Sequence, residues 1–295
     1  MSVISVKNLT QRYGKGRVIY ENLSFEVPKG RILGLLGKNG TGKTTTINIL
    51  MGFLKPQSGE CKIFGEDITR LSPETRSRIA LLLEGHVQYS FMTISQIERF
   101  YSRFYPRWNK EAYYGLMEKL KVTPDQKISS MSNGQRSQVA LGLILAQNAD
   151  LLVLDDFSLG LDPGYRRLFI EYLRDFVKQE GKTVFMTSHI IQDLERLIDD
   201  CIIMDYGRIL TQMPVDELMT TLKRCSYTDG PLPPASAEGI FSPWHTGDGN
   251  EFYSFLSPAE IATLFSGAGL TPPSDLKAEA PASLEDAFIG LTGRY

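Results

Sequence analysis

Three cysteines, two tryptophans and three histidines are all of those types in a chain of 295 residues. Cys61, Cys201 and Cys225 are odd in number, far apart, and form no CxxC pair. That argues against a disulfide framework and a zinc ribbon, and for three reduced, buried thiols. Long apolar runs are also missing. The longest, Val139 to Ala146, has eight residues with Gly142 inside it, against the ~18–20 needed to span a bilayer. The amino terminus carries Lys7 and Arg12 but no apolar core of signal-peptide length. The expectation is a cytosolic protein that reaches a membrane only by docking on something that spans it. Neither sign of charge is in excess: Lys plus Arg is 32, Asp plus Glu is 34, and the net charge is −2. Such a balance argues against a chain built mainly to bind nucleic acid.

What is present is ordinary globular composition, with 42% apolar and 22% charged residues. A disordered or collagen-like chain is excluded, and the length suggests about two domains. Val3, Ser5 and Lys7 alternate loosely, Leu23 to Val27 alternates apolar and polar, and Pro28-Lys29-Gly30 marks a turn. Ile32–Leu36 and Ile79–Leu83 read as buried strands, as do Leu151–Leu154, Thr183–Thr187 and Cys201–Met204. Helical stretches lie between several of them, which implies a parallel α/β sheet. Residues 94 to about 146 look helical, with Ile94, Ile97 and Tyr101 on one face, and interrupt the sheet as an inserted subdomain. Gly, Pro and Ser fill about half of Asp229 to Gly249, which reads as a linker or irregular region. Ser257 with Glu260, and Ser283 with Asp286, read as capping boxes of two short final helices. Trp244 and His245 read as a packing and a surface residue. Residues 223–295 are expected to be a small α+β accessory domain after a larger domain over 1–222.

Gly37-Lys38-Asn39-Gly40-Thr41-Gly42-Lys43-Thr44 matches GxxxxGK followed by Ser or Thr. Glycines let the backbone curl so that successive N–H groups face phosphate oxygens. Lys43 would neutralise the β and γ phosphates, Thr44 would offer its hydroxyl to Mg²⁺, and the helix through Thr45 would aim its positive end at the anion. At ordinary residue frequencies the pattern arises by chance in about 1% of chains this long, and here a strand precedes it and a helix follows, as the motif requires. The strand Leu151–Leu154 ends in Asp155-Asp156. A carboxylate at a strand tip beside a phosphate loop can hold Mg²⁺, usually through water.

Further segments complete a pattern. Met131-Ser132-Asn133-Gly134-Gln135 resembles the LSGGQ signature of ABC-type ATPases, with Gln135 lying 20 residues before Asp155. Leu161-Asp162 resembles that family's D-loop, Ser188-His189 its switch histidine, and Tyr13 its adenine-stacking aromatic. The chain therefore resembles the ATP-binding subunit of an ABC transporter over about residues 1–222. Ser283-Leu284-Glu285-Asp286-Ala287-Phe288 with Leu291-Thr292-Gly293, and Phe104-Tyr105-Pro106-Arg107-Trp108, resemble the drug-efflux and antibiotic-resistance branch.

The resemblance implies a P-loop ATPase core of ABC type: a parallel sheet, an antiparallel amino-terminal sheet and a helical subdomain near 90–140. It implies ATP and Mg²⁺ as cofactors, and a separate membrane-spanning subunit as partner. It also implies a second ATP-binding subunit, a homodimer being favoured over a heterodimer. Ser132, the Gly134 backbone and Gln135 would meet the γ-phosphate of ATP on the second subunit. Asp162 would sense the site across that interface, and His189 would orient the attacking water. Thr44, Asp155 and Glu84 would be the Mg²⁺ ligands.

Three residues depart from the family pattern. Asp156 stands where a catalytic Glu is usual. Its carboxylate is set back by over ~1 Å, a displacement that can cost about 10²-fold in rate, so slow hydrolysis is expected. Glu84, with Gln88 as a rival, stands where Gln is usual. Asn133 replaces a Gly, and with Asp156 it leaves pairing with a more competent subunit open. Two other functions compete. A soluble ABC machine on ribosomes or DNA usually has two cassettes, coiled coils or zinc modules, none of which is visible. A regulatory ATP switch with little turnover draws on Asp156.

Overall fold

The computed structural model describes residues 2–14, 16–83, 89–157, 161–188, 190–234 and 237–293. Two long strands, β1 (Ser2–Tyr13) and β2 (Arg17–Pro28), lead to β3 (Ile32–Gly37), helix α1 (Lys43–Leu50), β4 (Ser58–Ile63) and β5 (Glu66–Asp67). A short α2 (Pro73–Ser77) and β6 (Ile79–Leu82) follow, then the helices α3 (Ile94–Tyr101), α4 (Lys110–Lys119) and α5 (Asn133–Ala146). Next come β7 (Leu151–Leu154), α6 (Pro163–Glu180), β8 (Thr183–Thr187), α7 (Ile191–Glu195), β9 (Asp200–Asp205), β10 (Arg208–Pro214) and α8 (Val215–Thr221). The tail contains β11 (Lys223–Tyr227), β12 (Ile240–Thr246), β13 (Gly249–Ser254), α9 (Pro258–Gly267), β14 (Lys277–Glu279) and α10 (Leu284–Thr292). Among the described residues no helix is long and apolar enough to cross a membrane.

The central sheet runs β10-β9-β3-β8-β7-β6, parallel except for the β10 edge. The middles of its inner strands are apolar because both faces are covered. Alternate residues go to opposite sides. Leu152, Leu154, Val184 and Met186 face the layer holding α5 and α6. Leu151, Val153 and Phe185 face α1 and the antiparallel sheet β2-β1-β4-β5. The register pairs Leu82 with Leu154, Leu154 with Met186, and Leu35 with Thr187. The carboxyl ends of β3, β7 and β8 are therefore level, the place where such sheets bind ligands.

Helix α6 buries Phe169, Ile170, Leu173 and Val177, a helical stripe, and ends at Gly181 in the left-handed region, φ 61°. The helical block is fixed to the base of the sheet by the aromatic segment before α4. Trp108 Nε1 donates to the buried Glu98 at 2.9 Å, and Arg107 reaches Asp150 at 2.9 Å.

The tail departs from its sequence reading in three ways. The 229–249 region is not all linker, because it contains β12. Pro243 is tolerated there because the β12–β13 ladder shifts register between Phe241 and Trp244, a bulge next to Ser242 at φ 47°. Ser283 caps α10 by accepting from the Asp286 N–H, but Asp286 does not return the bond. Its oxygens instead accept from Tyr253 Oη at 2.6 Å and the Ala282 N–H at 3.0 Å. Third, the sheet β12-β13-β11-β14 and α9 share a small core around Phe252, Ile261 and Phe265, yet α10 leaves it. Leu284, Phe288 and Leu291 join the core of the first 222 residues, each worth about 1.5–3 kcal/mol of burial. Trp244 stacks on Tyr253 and His245 is exposed, as read from sequence.

Candidate functional site

The phosphate loop leaves β3 at Gly37 and enters α1 at Lys43. Gly42 lies at φ 102°, and a Cβ there would stand 2.6 Å from Ile19 and 2.8 Å from the Tyr20 ring. Only glycine lets the loop turn while seated on β2. Thr41 Oγ1 donates to the Lys38 carbonyl at 2.9 Å, closing the curl, while Asn39, Gly40 and Thr44 are exposed at its mouth. Lys43 Nζ donates to the carbonyls of Gly37 at 2.6 Å and Lys38 at 3.1 Å. Burial lowers its pKa, and Asp156 and Asp155 offset part of that. The ammonium is thus held inside the curl by carbonyls that phosphate oxygens can outcompete.

Asp155 is 2% exposed and accepts from Thr187 Oγ1 at 2.7 Å. Thr44 Oγ1 points at the same oxygen from 3.4 Å. The Asp156 N–H donates to Thr187 Oγ1 at 3.0 Å, and Asp156 itself is at φ 47°. Thr187 was missed in the sequence. It is the last residue of β8, one strand over from Asp155, and only the parallel register puts it beside both aspartates. A hydroxyl and one carboxylate fit Mg²⁺, which takes one or two protein oxygens and completes its shell with phosphate and water. Among the described residues there is no group of three or more His, Cys, Asp or Glu able to hold a metal. Tyr13 is 46% exposed, and its Oη lies 3.4 Å from Thr45 Oγ1, so an open ring face stands beside the start of α1.

The second group of residues lies at the amino ends of α5 and α6. Ser132 and Gln135 form a reciprocal capping box, 3.2 Å and 3.1 Å. Asp162 caps α6 through the Gly164 and Tyr165 N–H groups, 3.0 Å and 3.1 Å. The two ends meet at Gly134, where a Cβ would come 2.4 Å from the Tyr165 ring. Asn133 is exposed on the first turn, so its extra bulk points outward and disturbs nothing inside the chain. Among the described residues, none of the hydrogen bonds of Ser132, Gln135 or Asp162 reaches the phosphate loop. Glu84, its rival Gln88, and His189 lie outside the described residues.

The family model described as ABC transporter matches residues 20–158, spanning the phosphate loop, the signature and both aspartates. The Nod factor export ATP-binding protein I of Ralstonia nicotianae is 31% identical over 99% of this chain and 94% of its own length. The chain belongs to the ABC transporter ATP-binding family. As an ABC ATP-binding subunit it is an ATPase. The bacitracin transport ATP-binding protein BcrA of Bacillus licheniformis is 30% identical over 74% of this chain and 71% of its own. A solved ATP-binding subunit of an ABC transporter shares the fold at 24% identity, with a TM-score of 0.65 over 74% of this chain and 92% of that one.

Proposed function

We propose that this ABC ATP-binding subunit powers export through a separate membrane-spanning protein, working as a head-to-tail pair on the cytoplasmic face of the membrane. Residues 1–222 are read as the ATP-binding unit. Tyr13 stacks on adenine, the loop N–H groups and Lys43 hold the phosphates, and Ser132 with the Gly134 and Gln135 end of α5 closes on the partner's ATP. Thr44 and Asp155 would hold Mg²⁺, which would supply neutralisation of the charge developing on the γ-phosphoryl group. Asp156, and His189 with Glu84 as the sequence suggests, hold and orient the attacking water. Because Asp156 is one methylene short of Glu, hydrolysis is slow. The difference between closed and reopened pairs is what drives the membrane partner.

The observation that carries docking is an exposed aromatic cluster in the helical block. Phe91 and Phe104 are 69% and 64% exposed and Tyr89 is 42% exposed, packed edge-on around Phe100 directly or through Tyr89. A soluble face seldom leaves such rings uncovered without a partner. Export, rather than import, follows the names of the Nod factor and bacitracin relatives.

The test is to tag the chain, extract membranes with mild detergent and identify what co-purifies stoichiometrically. A multi-span protein is expected, and a second ATP-binding chain would replace the homodimer by a heterodimer. Recovery of the folded ATPase with no membrane partner would overturn the transport reading. It would leave the second reading, a slow ATP switch, which Asp156 favours.

A further inference from the structure

Helix α10 touches α7 at its amino end and the phosphate loop at its carboxyl end. At its amino end the Leu284 N–H donates to Glu195 Oε1 at 3.1 Å, and Gln192 Nε2 donates to Glu285 Oε2 at 3.0 Å. Glu195 and Gln192 belong to α7, which begins two residues after His189. At the carboxyl end Lys38 Nζ donates to the Thr292 carbonyl at 2.6 Å. That carbonyl is among the last of α10, which the helix itself cannot satisfy, and it carries the negative end of the dipole. Lys38 thus caps α10 from inside the phosphate loop.

Between these ends the helix is rigid. A Cβ on Gly290 would stand 2.5 Å from the Tyr253 ring, so that ring lies flush on the helix while its Oη holds Asp286. The tail sheet is therefore fastened to α10, and α10 to α7 and the phosphate loop.

We propose that α10 is a strap that holds the phosphate loop in its nucleotide-ready curl, and that Lys38 is the positioning residue through which it does so. The proposal rests on the loop being the ATP site. Lys38 donates its ammonium to Thr292, and the loop carbonyl of Lys38 in turn accepts from Lys43 and Thr41. Releasing the strap frees the loop to sample curls that do not bind phosphate, which lowers ATP affinity by the fraction lost. The residues after 222 then set affinity for nucleotide through the loop.

The experiment measures the Kd of trinitrophenyl-ATP without Mg²⁺ on the purified full chain, in four variants. Lys38→Met removes the cap from the loop side, and Lys38→Arg keeps a donor. Gly293→Pro acts from the tail side. Residue 293 sits at φ 79°, which proline cannot adopt, and its N–H, which bonds the Ile289 carbonyl at 2.8 Å, is lost, so the last turn of α10 opens and the Thr292 carbonyl swings away. The fourth variant combines Lys38→Met with Gly293→Pro.

Each single removal should weaken binding about three- to tenfold, in keeping with one charge-assisted bond. The double variant should be no weaker than either, and Lys38→Arg should stay near the unaltered chain. Gly293→Pro should raise the KM for ATP and leave kcat within about twofold. By reciprocity, nucleotide should also slow hydrogen exchange at Leu291–Gly293 in the unaltered chain, and not in Lys38→Met. That arm decides the matter if Gly293→Pro melts early.

Additive weakening in the double variant, or a loss with Lys38→Met alone, would mean that Lys38 acts on the phosphates directly and would overturn the strap. Unmoved affinities in all variants would do the same. Failure of the unaltered chain to bind would overturn the ATP-site reading itself, and the strap with it.

Discussion

At the carboxyl ends of β3, β7 and β8 the polar groups bond one another across the chain, whereas Ser132, Gln135 and Asp162, at the amino ends of α5 and α6, bond among the described residues only within their own helix ends. Thr44, Asp155, Asp156 and Thr187 form one connected cluster. Ser132 and Gln135 close on each other, and Asp162 closes on α6. The first arrangement is a site that holds a ligand unaided. The second is a pair of well-capped helix ends, able to bind an anion brought from outside. The difference explains why a chain with every motif of the family is read as half of a working enzyme.

The comparison breaks most visibly at Lys43. Lys43→Ala should abolish ATP hydrolysis by about 10³-fold or more in a phosphate-release assay, with ATP binding lost too, because the buried ammonium is the curl's main charge. Gly134→Ala strikes the other region. Its Cβ would displace the Tyr165 ring and tilt α5 against α6, so turnover should fall about 10²-fold. ATP affinity of the isolated chain should stay within about twofold. Equal loss of affinity in both variants would erase the distinction between the two regions.

Asp156→Glu should raise turnover about tenfold, since the longer side chain recovers the missing reach. Left-handed backbone suits Asp better than Glu, so the gain should come with a slightly lower melting temperature. Unchanged or reduced turnover would count against the geometric account of slow hydrolysis.

The smallest effect concerns the thiols. Burial pushes Cys61 and Cys201 up to about 12 and Cys225 up to about 11. All three remain protonated through pH 8, so the folded chain should react with Ellman's reagent only as it unfolds. A fast-reacting thiol at pH 8 would show that one of these cores opens.

Much of this was legible in the sequence because the motifs are local. A glycine-rich loop between an apolar strand and a helix, and Ser132 three residues before Gln135, declare their conformations by spacing alone. Thr187 was invisible, because what makes it matter is its neighbour across the sheet rather than along the chain. Pro243 concealed β12, since a proline argues against a strand unless a bulge spares its missing N–H. Asp286 has the spacing of a capping box, but the Tyr253 hydroxyl, 33 residues away in sequence, takes one of its oxygens. The contact between Lys38 and Thr292 spans 254 residues and has no local signal at all.

The central claim is that two copies complete each other's sites, and mixing inactive variants tests it directly. Lys43→Ala and Gly134→Ala would each be purified, assayed alone, then combined in equal amounts and assayed again. In a head-to-tail pair of one copy of each, both lesions fall in one site and the other site is whole. The account predicts that the mixture recovers about a quarter of the unaltered activity, since about half of randomly formed pairs are mixed and each carries one good site. A mixture no more active than its two components would contradict it.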